Sequence, residues 1–430
     1  MIVVKLTIFI FVLAVVLASC SISMFEPYFQ SAERYFLAGN FEEAIKMYFR
    51  AIDQDKKRPE AYFGLAMTYY KTGYLEEATL ALEKTLELDP LNVYAYERLA
   101  AVNIDLGHVD TAIYLCRVAR VMDGKFVPVI NTLGHAYFEA GKMDSAEVAF
   151  STAASLCREL NLQSRAGKNA VSFSSDASEA FNGLGEVCIT RGLYTHALDY
   201  FGASISSMPN WDTPWFNKAI TYEALTNYSA AQVAYLRTID LAPDNISAMR
   251  SYARLLVRLR REPDAIELYR RALRVDPSDT YSYYGLADLY EKKGEYAEAA
   301  EAYKGVLESA PDNPIGYLRA GRLEMKRNEF DDAMKMFQSA LDLNPGFSEA
   351  YDGLGEAYRS KGLMSQAESA FEDAIKNDST LSSAVRNLGS LLLERGREDE
   401  GVTMMKRAAL LGDTKAKELL RGRGIGWETK

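Results

Sequence analysis

The chain has 430 residues, 48% hydrophobic and 25% charged, with only 12 Pro and 28 Gly, a composition that suits a folded helical protein and excludes disorder and collagen. Its 49 Lys and Arg stand against 59 Asp and Glu, a net charge of -10, so nothing draws it to a phosphate backbone and no nucleic-acid partner is expected.

Residues 1–19 carry one charge, Lys5, and then an apolar run from Ile8 to Ala18. The run falls short of the about 20 apolar residues that a spanning helix needs and reads as the core of a signal peptide. It ends in Leu17-Ala18-Ser19-Cys20, which resembles the lipobox of bacterial lipoproteins. That resemblance implies cleavage before Cys20, a diacylated thiol and an acylated new N-terminus, and several acyl chains hold a membrane far better than one. Ser21 rather than Asp follows, which resembles the pattern passed on to the outer membrane in Gram-negative bacteria. The expected location is therefore the bacterial outer membrane, lipid-anchored and facing the periplasm, with residues 20–24 as the lipidated N-terminus and a short spacer. The alternative is a cytoplasm-facing protein held by an uncleaved anchor. Cys116, Cys157 and Cys188 are an odd number without a C-x-x-C pair, and are expected to be small buried apolar residues rather than a disulfide framework or a zinc site.

Beyond the signal the sequence repeats with a period of 34. Gly39, Gly73, Gly107 and Gly141 are 34 apart, and Gly192, Gly294, Gly362 and Gly396 are spaced by multiples of 34. With these glycines at position 15 of a unit, four units fill 25–160, a Ser-rich insertion expected to be a loop occupies 161–177, and seven units fill 178–415. Position 8 is Ala or Gly in all eleven units, from Ala32 and Ala66 to Gly355 and Gly389, and position 20 is Ala in all but the last, which has Gly401. Small residues there let two helices approach, while large residues at positions 4, 11 and 24, such as Tyr351, Tyr358 and Phe371, fill the spaces between them. The spacing predicts one buried face on each of two helices, over roughly positions 1–14 and 17–31. The glycine at position 15 takes the left-handed backbone that ends the first helix, and Pro90, Pro243 and Pro311, at position 32, stop the second. Thr226, Arg260 and Asn328 replace the capping glycine; Asn tolerates that backbone, whereas Thr and Arg adopt it at a cost, so their turns are expected to be tighter or different. Residues 416–430 are expected to complete a short capping helix that begins at Thr414 and to end in a flexible tail.

These offsets, in eleven consecutive units, resemble the tetratricopeptide repeat. The resemblance implies an all-α, right-handed superhelical solenoid of about eleven helix-turn-helix repeats, with a concave face made by the first helices. No catalytic constellation accompanies the repeats: His108, His135 and His196 lack any paired-ligand spacing, and neither a G-x-S-x-G elbow nor a phosphate loop is present. No enzyme activity, metal or cofactor is expected.

In the tetratricopeptide family ligands lie on the concave face, at positions 2, 5, 9 and 12 of the first helices. In the first four units these positions hold Phe29, Phe36, Phe63, Met67, Tyr70, Tyr94, Ile104 and Phe138, expected to anchor a peptide or helix of a protein partner unless they pack against the next repeat. In later units position 9 reads Arg254, Asp288, Arg322 and Glu356, an alternation expected to form a salt-bridge ladder. The sharper alternative is an anion patch of Arg250, Arg254, Arg258, Arg322 and Lys326 that grips an acidic peptide or a carboxylate terminus. The Lys and Asn set with which family chaperone adaptors hold a carboxylate is missing. The expected function is a non-catalytic, lipid-anchored scaffold for other proteins or peptides of a cell-envelope complex, in outer-membrane assembly, pilus formation or secretion, or polysaccharide export. The runner-up is a carrier or regulator that binds a glycan or small ligand through the Tyr-rich concave groove, with aromatics paired with polar groups such as Asn131, Glu186 and Tyr284 on the same face.

Overall fold

A computed structural model describes residues 25–163 and 170–427; the signal segment, Cys20 and the spacer lie outside them. Among the described residues there are 23 helices and no strand, and no helix is long and apolar enough to cross a membrane. The architecture is the expected all-α helical repeat. In the third repeat, for instance, the first helix is Val93–Asp105 and the second Val109–Met122, which puts them at positions 1–13 and 17–30. Gly107 between them has φ 78°, and this left-handed residue turns the chain so that its own N–H donates to Ile104 O at 2.9 Å and the His108 N–H to Asn103 O at 2.8 Å.

Thr226 and Arg260 correct the expectation of a different turn. Their φ values are 58° and 61°, the same left-handed cap, and the bonds are the same: Thr226 N–H to Glu223 O at 2.9 Å and Asn227 N–H to Tyr222 O at 2.8 Å. The two hydrogen bonds that close the helix outweigh the steric cost of a side chain at positive φ, which is about 1–2 kcal/mol. Relieving that cost at a β-branched residue should be visible. Thr226→Gly is expected to raise stability by about 1 kcal/mol, less than the full strain because Gly also loses more freedom on folding; a thermal melt showing no gain would mean the threonine is unstrained.

The chain divides into two bodies, residues 1–234 and 235–430. In the N-terminal body, first helices of successive repeats touch, Phe25–Leu37 with Pro59–Lys71 and Val93–Asp105 with Val127–Glu139, and each second helix packs on the next first helix. In the C-terminal body the first helices Pro314–Arg327, Ser348–Ser360 and Ser382–Glu394 touch in the same way. The small residues of position 8 let the two helices of one repeat approach each other: Ala32, Ala66 and Ala100, and in the other body Ala253 and Ala287, are fully buried. Position 24 supplies the wedges. The Phe150 ring lies so close to Gly134 and Gly183 that a Cβ on either would come within 2.6 and 2.4 Å of it. In the C-terminal body Phe337 sits the same way between Gly321 and Gly353, at 2.7 and 2.6 Å. Each ring thus locks its own repeat to the following one, through a glycine at position 6 of the latter.

The insertion is not the loop that its serines suggest. Residues 161–163 end the helix Met143–Gln163 and residues 170–177 open the helix Ala170–Thr190, so both are 21 residues long; residues 164–169 lie outside the described set. An apolar seam explains the lengthening, because Ala153, Cys157, Ala177 and Ala180 share a core with Leu156 and Leu160. Ser carries only a modest helix penalty, which this burial overcomes. The C-terminal tail also differs from expectation. The helix Thr414–Gly422, capped by Asp413 accepting from Ala416 N–H at 2.8 Å, buries Ala416 and Leu420 on the last repeat, and Ile425 and Trp427 pack there too. The chain as far as Trp427 is a packed cap rather than a flexible tail. Cys116, Cys157 and Cys188 are buried and unpaired, and burial pushes the Cys116 and Cys157 thiols up to about 12.

Candidate functional site

The first helices of the N-terminal body present the residues singled out as partner anchors, and the structure divides them. Phe29 stacks on Phe25 with ring centroids 5.5 Å apart, and Phe36 meets Phe41 edge-on at 5.8 Å. Phe63, Tyr70 and Ile104 pack half-buried against one core cluster, and Phe138 against another. Burial, with the Asp105 carboxylate beside it, pushes the Tyr70 hydroxyl up to about 12. Met67 is half-buried. Only Tyr94, 63% exposed with its ring 4.6 Å from Phe126, stands clear. The face is therefore not an open row of aromatics: the position-12 rings and most of their neighbours complete the packing between successive first helices.

A polar cavity of about 380 Å³ opens further along the same body, lined by His135, Ser175, Glu179, Asn182, Glu186, Met208, Trp211 and Thr213. His135, Asn182 and Glu186 occupy positions 9, 5 and 9 of the first helices Val127–Glu139 and Ala170–Thr190, so the helical period aims them at one space. Glu186 Oε1 accepts from Asn182 Nδ2 and from Asn217 Nδ2, each at 2.9 Å, and Asn217 Nδ2 also donates to Asn182 Oδ1 at 3.0 Å. The two amides hold the carboxylate without neutralising it. His135 Nε2 lies 3.3 Å from Glu179 Oε1. Burial works against the imidazolium, but the Glu179 hydrogen bond and the Glu179, Glu186 and Glu139 charges outweigh it and raise the His135 pKa above its ordinary value. Burial, joined by Glu179 and Glu97, pushes the nearby Asp176 carboxyl up to about 6. Glu97, 3% exposed, is raised by burial as well, against the pull of Arg98 and a 2.8 Å bond from Thr132. This stretch is a field of negative charge that the protein only partly compensates.

In the C-terminal body the basic candidates are largely committed. Arg250 pairs with the buried Asp279 at 2.8 Å and stands over the Tyr281 ring. Lys326 pairs with Glu291, which also accepts from the Tyr303 hydroxyl at 2.7 Å. Arg254 is exposed and donates to Ser251 at 3.2 Å; Arg258 is exposed. Arg322 is exposed and acts on the buried Asp352 and the exposed Glu356. The five do not converge on one anion site, because Arg250 and Lys326 are spent on carboxylates. A ladder does exist, but in another register: Asp288 pairs with Arg319 of the next repeat at 3.3 Å and Arg359 with Glu394 at 2.7 Å, while Glu356 takes a hydrogen bond from Asn387 at 3.0 Å. Tyr281 and Ile315 line a cavity of about 590 Å³ with Arg254, Tyr284, Asp288 and Arg319. Of the three residues considered for a glycan, Asn131 is fully buried and donates to Asp176 O at 2.9 Å, and the Tyr284 hydroxyl is buried without a partner. Glu186 and Tyr284 each line a cavity, and of the two Glu186 offers a carboxylate acceptor.

Family models of the tetratricopeptide repeat match residues 32–73, 59–92, 216–280, 253–314, 291–357 and 324–392, together more than half of the chain. The chain belongs to the tetratricopeptide-repeat family. Repeats of this family generally mediate protein–protein interaction, and its members are typically non-catalytic scaffolds. A TPR repeat-containing protein of Methanocaldococcus jannaschii is 26% identical over 190 residues, 42% of this chain and 32% of that protein, so the matched stretch spans about a third of the relative. Similar solved structures include yeast Tom70, with a TM-score of 0.38 at 16% identity over 93% of this chain and 94% of that one. The C-terminal part of a TPR repeat-containing protein from Cytophaga hutchinsonii has a TM-score of 0.47 at 16% identity, over 54% of this chain and 97% of that one. In the tetratricopeptide register, Tyr94, Tyr281 and Ile315 all stand at position 2, and they are 63%, 74% and 50% exposed. The sequence reading found the first and missed the other two, although their shared offset was visible. Trp211, Asn182 and Asn217 were missed as well; the only signal was their nearness in register to Glu186.

Proposed function

We propose that this tetratricopeptide-repeat protein is a non-catalytic docking scaffold, lipid-anchored through Cys20 on the periplasmic side of the bacterial outer membrane, that gathers other proteins of a cell-envelope complex. Outer-membrane assembly, pilus formation or secretion, and polysaccharide export are the settings this reading covers. The observation that carries the docking half is the exposure of large apolar side chains at position 2: these rings and the isoleucine lie outside the core, where they cost the free chain solubility and offer a partner contact area. The anchoring half is supported by Lys5, the apolar run from Ile8 to Ala18 and the Leu17-Ala18-Ser19-Cys20 sequence. With only Ser21 to Met24 between the lipid and the first repeat, partners at or near the bilayer are favoured.

Site-specific photo-crosslinking in the producing cell tests the docking half. A benzophenone side chain in place of Tyr94 or Tyr281 is expected to give a discrete adduct with a partner protein, and one in place of Glu83, exposed on a second helix, is expected to give none. Equal or absent adducts at all three positions would remove the first helices as the docking face.

A further inference from the structure

We propose that the cavity around Glu186 holds a basic side chain, a guanidinium or an ammonium group, of the protein segment that docks on the N-terminal body; this rests on the docking reading above and names what that segment must carry. The chemistry of the cavity decides the class. Three of its four neutral amide protons are engaged, since Asn182 and Asn217 each give one to Glu186 Oε1 and Asn217 gives its other to Asn182 Oδ1. Among the described residues, Glu186 Oε2 accepts no hydrogen bond and Glu186 pairs with no Lys, Arg or His. Glu179 adds a second carboxylate, which His135 meets through one oxygen. What remains on offer is acceptor oxygens, the Trp211 ring and the Met208 thioether, with the Ser175 and Thr213 hydroxyls beside them.

A cavity with two carboxylates that no described Lys or Arg neutralises selects a ligand that brings positive charge. Arg and Lys side chains do so, and a guanidinium can bond to a carboxylate while lying on an aromatic face. A neutral sugar would leave both carboxylates uncompensated, and a phosphate or carboxylate ligand would meet two like charges. The amide clamp also removes the entropic cost of fixing Glu186 when the partner arrives. The nearby Asp176, raised by burial and by the Glu179 and Glu97 charges, shows how negative this neighbourhood is.

The test is selection of a randomised dodecapeptide display library on the intact chain, followed by titration of one winning peptide. The expected winners share one fixed Arg or Lys, and replacing it by citrulline or norleucine weakens binding about tenfold. Glu186→Gln, which keeps both amide bonds, is expected to produce the same loss, with no further loss when peptide and protein changes are combined. Glu83→Gln, which removes the same charge from a second helix, is expected to leave binding unchanged. Winners without a fixed basic residue, or losses at Glu186→Gln no larger than at Glu83→Gln, overturn the cavity assignment while the docking reading stands. No enriched peptide at all overturns the docking reading and this inference with it.

Discussion

Replacing Phe337 with Ala is expected to destabilise the C-terminal body by about 3–5 kcal/mol, the range for emptying a fully buried aromatic site. Phe337 is 0% exposed, in a cluster with Ala333, Ala340, Leu341, Ala350 and Leu354. Its ring fills the space that Gly321 and Gly353 leave by having no side chain, with a hypothetical Cβ on each falling 2.7 and 2.6 Å from it. Two backbones converge on one ring, so neither can collapse into the void without breaking its own helix contacts. A paired substitution identifies the cause. Gly353→Ala alone is expected to cost about 1–3 kcal/mol by overpacking, and much less in a Phe337→Ala background, where its methyl enters the void. In a repeat array the loss is felt first in the two repeats that share the ring. Hydrogen exchange across Phe330–Leu343 and Ser348–Ser360 is therefore the measurement, with denaturant melts as a second readout. A cost of Gly353→Ala that is the same in both backgrounds would refute the wedge.

The same pair shows how far the sequence could be read. The period, the helix limits and the small residues of position 8 were legible because each is enforced within one unit, where a capping glycine or an alanine answers to its immediate neighbours. The glycine at position 6 was not, because Gly183 and Gly353 answer to the rings of Phe150 and Phe337 in the preceding repeat. The groove aromatics failed for the same reason. Phe36, Phe63 and Tyr70 carry correct concave-face offsets, yet successive first helices come close enough to half-bury them, whereas Tyr281 and Ile315 at position 2 remain open. The 161–177 segment misled through composition. Its serines suggest a loop, but Leu156, Leu160 and Ala177 belong to a seam that exists only when the two lengthened helices pack together. Charges were legible in sign and not in partner: Arg254 and Arg322 alternate with Asp288 and Glu356 along the sequence, but the reach of Arg319 toward Asp288 sets the actual pairs.

Cys20→Ala is expected to abolish incorporation of radiolabelled palmitate and to shift the chain out of the membrane fraction. The size of the effect follows from where membrane affinity can arise. On the lipoprotein reading proposed above, attachment rests on the lipid at Cys20, because the apolar run before it is expected to be removed with the signal. Each buried acyl CH₂ contributes about 0.8 kcal/mol; one chain holds marginally, and several together are effectively permanent on the timescale of a fractionation. On that reading, losing the cysteine would remove the thioether-linked chains and, with them, the processing that exposes the amine for the further chain. The step is close to all-or-none rather than graded. Washing with high salt separates this from charge-driven attachment, which is screened, whereas acyl insertion is not. If the Cys20→Ala chain stays in the membrane fraction after that wash, the apolar stretch from Ile8 to Ala18 is itself the anchor and the lipid is not.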